Sequence, residues 1–173
     1  MKIVIVNGAP GAGKDTFVNY CSEALNGHCL NVSTVDFVKE IARECGWDGV
    51  KTPKNRKFLS DLKKLLTDWD DVPYKKVESE IKLFQSIQEY QHADKAAVVF
   101  IHCREPQEID KFKKRLNAST LLIRRASVEN LDQSNSSDSD VFKYNYDYEI
   151  SNDTTLGELR IKALEFVHQL LLT

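Results

Sequence analysis

The chain has 173 residues, 42% of them apolar, with a formal net charge of −2. That size and apolar content suit one domain with a real core, and the near-neutral charge offers no general attraction to nucleic acid or anionic membranes. No apolar run is long enough to span a bilayer, and no charged leader with an apolar stretch precedes the first strand, so a cytoplasmic protein is expected.

Lys2 to Asn7 (KIVIVN) is a continuous apolar run closed by a glycine-rich turn, which predicts a short buried strand. A helix begins at Lys14 with Phe17, Cys21, Ala24 and Leu25 on one stripe, and Asn26-Gly27 stops it. A second strand spans Cys29 to Val32. Ser33 and Thr34 then cap a helix with Val38, Ile41, Ala42 and Cys45 inward, ending at Gly46. After the basic loop GWDGVKTPKNRK come two helices. One carries Phe58, Leu62, Leu65, Leu66 and Trp69 on a common face. The other opens after Asp71 with Pro73 in its first turn and carries Val77, Ile81, Phe84 and Ile87.

Ala96 to His102 predicts the third strand, Glu105-Pro106 opens a helix with Ile109, Phe112 and Leu116 inward, and STLLIRR predicts the fourth strand. A polar, serine-rich stretch follows, then YDYEISN as the fifth strand. Thr155 to Glu158 is a capping box opening a last helix with Leu156, Leu159, Ala163, Val167 and Leu170 inward. Tyr144, Tyr146 and Tyr148 alternate and are expected to line one sheet face. Cys21, Cys29, Cys45 and Cys103 lack CxxC spacing and predict buried, reduced thiols rather than a zinc site.

Strands alternating with helices predict a parallel sheet covered on both faces. The expected architecture is a single α/β domain over residues 1–173, in three layers with a five-stranded parallel sheet. A helical insert occupies residues 47–92, and a short lid-like loop residues 126–143.

The string GAPGAGK, Gly8 to Lys14, satisfies G-x-x-x-x-G-K directly after a buried strand and at the start of a helix. Such a P-loop turns successive backbone N–H groups of Gly8, Ala9, Gly11, Ala12 and Gly13 toward phosphate oxygens, aided by the helix N-terminus, while the lysine meets the β and γ phosphates. The hydroxyl that usually follows the lysine comes one residue late: Asp15 stands there, and Thr16 follows. No guanine-reading N-K-x-D or D-x-x-G is present, which excludes a GTPase switch.

The loop resembles that of adenylate kinases (GxPGxGKGT), and more closely the GKDT ending of bacteriophage deoxynucleoside monophosphate kinases. HCREPQE keeps Arg104, Pro106 and Glu108 of the D-V-R-x-P-x-E that those enzymes often show after the third strand. Arg56 in KTPKNRKFL, Arg124 or Arg125 in LLIRR, and YDYEISNDTTLGEL match their arginines and their final strand and capped helix in order. The departures are His102, where relatives carry an aspartate, and an acidic, serine-rich loop in place of an arginine-bearing lid. The resemblance implies an ATP-dependent phosphotransferase acting on a (deoxy)nucleoside monophosphate, with Mg²⁺ held largely through water and phosphates. It also implies that the helical insert binds the acceptor.

Phosphoryl transfer asks mainly for positioning and positive charge. Lys14, Arg104, Arg124 and Asp36 are the candidate catalytic residues, with Arg124 ahead of Arg125. Gly8, Ala9, Gly11, Ala12, Gly13, Lys14, Asp15, Thr16, Arg124 and Asn152 are expected around the nucleotide, Asp36, Arg56 and Arg104 around the acceptor, and Thr16 and Asp15 around the metal. Asp36 also stands three residues after Ser33, where it can complete a capping box instead. His102 reads first as a core histidine, with contact to a phosphate or water the alternative, and Lys51 and Lys54 as a solvated basic patch. Two alternatives stay open: a kinase of a hydroxyl acceptor, of the dephospho-coenzyme A or shikimate type, and a non-catalytic ATP-binding regulatory protein. The expected partner is a small molecule, with no nucleic acid or membrane; the oligomeric state is left open, a dimer included.

Overall fold

The computed structural model describes residues 1–91, 96–129 and 141–172. The chain runs β1 (Lys2–Asn7), α1 (Lys14–Ala24), β2 (Cys29–Ser33), α2 (Asp36–Glu44), α3 (Pro53–Asp70), α4 (Val72–Tyr90), β3 (Val98–His102), α5 (Pro106–Leu116), β4 (Ser119–Arg124), α6 (Ala126–Glu129), β5 (Tyr148–Ser151) and α7 (Leu156–Leu172). A single 3₁₀ turn, Val141–Lys143, precedes β5. The five strands form one parallel sheet in the order β2-β3-β1-β4-β5, as the alternation predicted.

Period-two alternation sorts the strand residues between two cores. Val4 and Val6 of β1, Val98 and Phe100 of β3, and Leu121 and Ile123 of β4 pack with Phe17 and Cys21 of α1 and with Leu159, Ala163, Phe166 and Leu170 of α7. Ile5, Val32, Val99 and Ile101 point the other way, against Val77 and Ile81 of α4 and Ile109 and Phe112 of α5. The adjacent strands β1 and β3 thus send their following helices, α1 and α5, to opposite faces. Ligands of open α/β sheets bind at the C-terminal ends of strands where such a divergence falls. The glycine loop and Arg104 flank this point.

Several sequence expectations are corrected. The α3 stripe is not a core face: no α3 residue is buried, Leu62 and Leu66 are half-buried, and Leu65 and Trp69 are 65% and 75% exposed. Helical spacing marks an apolar sector without stating how much of it meets a neighbour, and α3 is an outer helix resting on α2 and α4. Leu156 is likewise exposed, being the first residue of α7, while Phe166 takes a core place. Cys45 is exposed and Cys29 half-buried, so only Cys21 and Cys103 are buried thiols; all four are free. Strand β5 begins only at Tyr148, so the tyrosines do not share one face. Tyr148 packs on the α7 side, and Tyr144 against the α5-side core. Of the lid-like loop, residues 130–140 lie outside the described residues, as does residue 92 at the end of the insert.

The short edge strand β5 is anchored from its entry. Asp147 Oδ2 accepts from Thr120 N and Thr120 Oγ1, both at 2.8 Å, and Lys113 Nζ lies 2.9 Å from the same carboxylate. Burial pushes the Asp147 carboxyl up, but the bonds from Lys113 and Thr120 together hold it below the usual carboxylate range. Its contribution to stability is therefore full above the unfolded value of about 3.9 and lost as pH falls through the lower folded value. Asp147→Asn is expected to lower Tm by a few degrees at neutral pH and to remove that acid-limb loss, read by thermal melts from pH 2 to 7. Parallel pH curves for variant and wild type would show that Asp147 does not carry it.

Candidate active site

The glycine loop joins β1 to α1 under tight steric constraint. Gly8 has φ +150°, and a Cβ there would lie 2.4 Å from the Ile123 carbonyl oxygen of β4. Gly13 has φ +96°, and its Cβ would meet Asn152 Nδ2 at 2.3 Å. Neither position tolerates a side chain, because the loop lies against the ends of β4 and β5. Asn152, just past β5, donates from Nδ2 to the Ala12 carbonyl at 2.9 Å and from its backbone N to the Arg124 carbonyl at 2.7 Å. It fastens the loop to the sheet edge.

Lys14 folds back over the loop, donating to the carbonyls of Gly8 at 2.7 Å and Ala9 at 2.9 Å. A pocket of about 320 Å³ opens beside it, lined by Gly11, Gly13, Lys14, Asp15, Thr16, Arg125, Asn152 and Leu156. The structure brings Arg125 to this wall, and not Arg124. The reason is parity: Leu121 and Ile123 face the α1–α7 side, and Arg125 continues that sequence past the strand end. Arg124 instead makes a bidentate pair with Glu129, at 2.8 and 2.7 Å, reaches Glu149 at 3.2 Å, and lies over the Phe142 ring. Those bonds from Arg124 hold the Glu129 carboxyl below its usual range.

Asp36 turns its carboxylate back onto the turn before α2; the N-cap of that helix is Val35, with no side-chain cap bond, and not Ser33 or Thr34 as expected. Ser33 N–H donates to Asp36 Oδ2 at 3.0 Å, and Lys39 Nζ sits 2.9 Å from Oδ1. His102, at the end of β3, points its Nε2 toward Asp15 Oδ1 at 3.8 Å; that nitrogen is buried and has no hydrogen-bond partner. Burial pushes the imidazole below its ordinary value, more than Asp15 pulls it up. Among the described residues no group of three or more His, Cys, Asp or Glu could by itself hold a metal. Thr16 and Asp15 do present oxygens on the same pocket as Lys14, a fit for an ion that keeps waters and phosphate oxygens as most of its ligands.

Arg104 follows β3 and is half-buried. Arg56 is exposed at the start of α3, donating from Nε to the Lys51 carbonyl at 3.3 Å. It does not line the Lys14 pocket. A second pocket, also of about 320 Å³, lies at the entry to the insert between Trp47, Lys54 and Phe58. Sequence reasoning missed Asn7, which read only as the last residue of a buried strand. It is fully buried: Oδ1 accepts from Gly8 N at 2.8 Å, while Nδ2 donates to Tyr146 Oη at 2.8 Å and to the Arg104 carbonyl at 3.4 Å. A polar residue closing an otherwise apolar strand was the available signal.

No family model and no curated protein matches the chain. Among solved structures, a shikimate kinase from Aquifex aeolicus vf5 superposes with a TM-score of 0.53 at 12% identity, covering 98% of both chains. A shikimate kinase from Bacteroides thetaiotaomicron covers 99% of both chains at 12% identity and a TM-score of 0.46. An unliganded sugar kinase from Janibacter sp. HTCC2649 reaches 0.44, again at 12% identity, over 99% of this chain and 94% of its own. The Aquifex likeness spans the whole chain and gives it the fold of the P-loop kinases; at that identity it speaks for the fold alone.

Asn152→Ala removes the side-chain bond that steadies the loop at Ala12. The bond is already made in the free chain, so its loss, about 1 kcal/mol, is expected to lower Tm by a few degrees. ATP binding measured by calorimetry is expected to weaken severalfold as the loop loosens; an unaltered affinity would remove Asn152 from the site.

Proposed function

We propose that the chain is an ATP-dependent phosphotransferase whose acceptor is a small phosphorylated molecule, a nucleoside or deoxynucleoside monophosphate. The observation that carries the donor half is the loop from Gly8 to Thr16: its glycines let the backbone lie directly against Ile123 and Asn152, and it opens a helix beside a lysine and an arginine. Lys14 exchanges its two carbonyl partners for β and γ phosphate oxygens. Arg125 takes the place on the donor expected of Arg124, and Arg104 and Arg56 serve the acceptor. Mg²⁺, held by Thr16 and Asp15 together with phosphate oxygens and water, would neutralise charge on the phosphates.

Asp36 supports a phosphate acceptor. Both of its carboxylate oxygens are engaged, one by the Ser33 N–H and one by Lys39, which suits a brace of the β2–α2 turn better than a general base. An ionised phosphate needs no base, and most of the catalysis is then positioning and charge. The second reading, transfer to a hydroxyl, is favoured by the whole-chain likeness to a shikimate kinase and by the place of Asp36 beyond the C-terminal end of β2. That chemistry calls for a carboxylate beside the hydroxyl.

The test is phosphotransfer from ATP across ribo- and deoxynucleoside monophosphates, dephospho-coenzyme A and shikimate. A diphosphate product is expected, reduced at least ~100-fold by Lys14→Ala and only severalfold by Asp36→Asn. Product from a hydroxyl acceptor alone, abolished by Asp36→Asn, would establish the second reading. Tight ATP binding with no product from any of them would overturn both in favour of a nucleotide-binding protein.

A further inference from the structure

Arg104 is held from both sides by bonds that lead to different parts of the molecule. On one side its carbonyl accepts from Asn7 Nδ2 at 3.4 Å, and Asn7 in turn accepts from Gly8 N at the start of the phosphate loop. On the other side the neighbouring Cys103, 2% exposed, donates from Sγ to Glu108 Oε2 at 3.3 Å. The same Oε2 accepts from Lys63 Nζ at 2.6 Å, with only 16% of the Lys63 side chain and 18% of that of Glu108 exposed. Lys63 belongs to α3 in the insert, 45 residues away in sequence from Glu108. Burial and the neighbouring Glu108 carboxylate push the Cys103 thiol well above its ordinary value, so it stays an S–H donor.

We propose that Lys63 and Glu108 are positioning residues that lock the insert to the segment carrying Arg104 and, through Asn7, to the phosphate loop. The inference rests on the proposed phosphotransfer, in which the insert and Arg104 hold the acceptor and the loop holds the donor. Three features make this pair the link. Helix α3 has no fully buried residue and rests on α2 and α4 through half-buried side chains such as Leu62 and Leu66, so apolar packing places it only loosely. A half-desolvated ion pair is directional and costly to break by removing one partner. Its carboxylate oxygen is shared with the residue next to Arg104, so a shift of α3 is felt at that strand end. Lys63 and Glu108 act through Arg104 and the loop.

The test is amide hydrogen exchange read by mass spectrometry on the full chain, with and without a non-hydrolysable ATP analogue, for wild type, Glu108→Gln, Lys63→Met and Lys63→Arg. In wild type the analogue is expected to slow exchange at least threefold both in residues 8–16 and in residues 53–70. Glu108→Gln and Lys63→Met should keep the first protection and lose the second, while the charge-conserving Lys63→Arg keeps both. Under turnover the two disruptive variants should raise the KM for acceptor and lower kcat at least fivefold, with the KM for ATP within twofold of wild type. Insert protection that survives in both disruptive variants, or that is missing in wild type while residues 8–16 are protected, overturns the link. So does a parallel loss of both protections with a falling Tm, which is the mark of a general structural role. Protection of neither segment in wild type would instead sink the nucleotide site itself, and protection in both without turnover would sink the proposed reaction while leaving the link standing.

Discussion

Everything at the site depends on how closely backbone approaches backbone around the phosphate loop. Gly8 lies where even one carbon atom would collide with the Ile123 carbonyl, and Gly13 where it would collide with the Asn152 amide. The loop is thus set by contact with the ends of β4 and β5 and not by its own sequence alone. Those strands lie on the same side of β1, and the Lys14 pocket opens between the loop and the residues that follow them, Arg125 and Asn152. On the other side of β1 the loop adjoins the end of β3, where the Arg104 carbonyl meets Asn7. Once the loop is clamped, the places of Lys14, Asp15 and Thr16 follow from the first turn of α1.

Much of this was legible in the sequence. The boundaries of β1 and the start of α1 are written in an apolar run, three glycines and a lysine. The parallel sheet follows from alternation, and the α7 cap from Thr155, whose Oγ1 accepts from Glu158 N at 3.2 Å. What was not legible depends on contacts far apart in sequence. Whether Arg124 or Arg125 reaches the pocket turns on where β4 stops, since one residue of strand reverses the facing of a side chain. Asn7 gains its meaning from Tyr146, which lies 139 residues on. The α3 stripe misled for the opposite reason: local periodicity was correct and the neighbour that would cover it is not in this chain's described fold.

The two adjacent arginines show how an almost neutral chain can present local positive charge. Arg124 is consumed by Glu129 and Glu149 and braces the entry to α6, whereas Arg125 extends onto the pocket wall. Asp36 is committed in the same way to Ser33 and Lys39. Side chains that a motif search would count as catalytic are thus divided between framework and site. Sequence type alone does not make that division, because a guanidinium or carboxylate serves either purpose with the same chemistry.

The insert and the sheet are joined by different physics from that which holds the sheet together. Within the sheet, buried apolar side chains fill two cores, and such packing tolerates small shifts only at the cost of cavities. Helix α4 takes part in one of those cores through Val77 and Ile81. Helix α3 does not, and it meets α5 through charge: the Lys63–Glu108 pair within the helix and the Asp71–Lys111 pair at its C-terminal cap. An apolar contact would hold α3 somewhere on a surface. An ion pair whose acceptor oxygen is shared with Cys103 holds it at one point, one residue away from Arg104. A helix attached by charge geometry rather than by area has its position specified at the site and left loosely specified elsewhere. That is the arrangement expected of an element whose task is to bring a second molecule to a fixed loop.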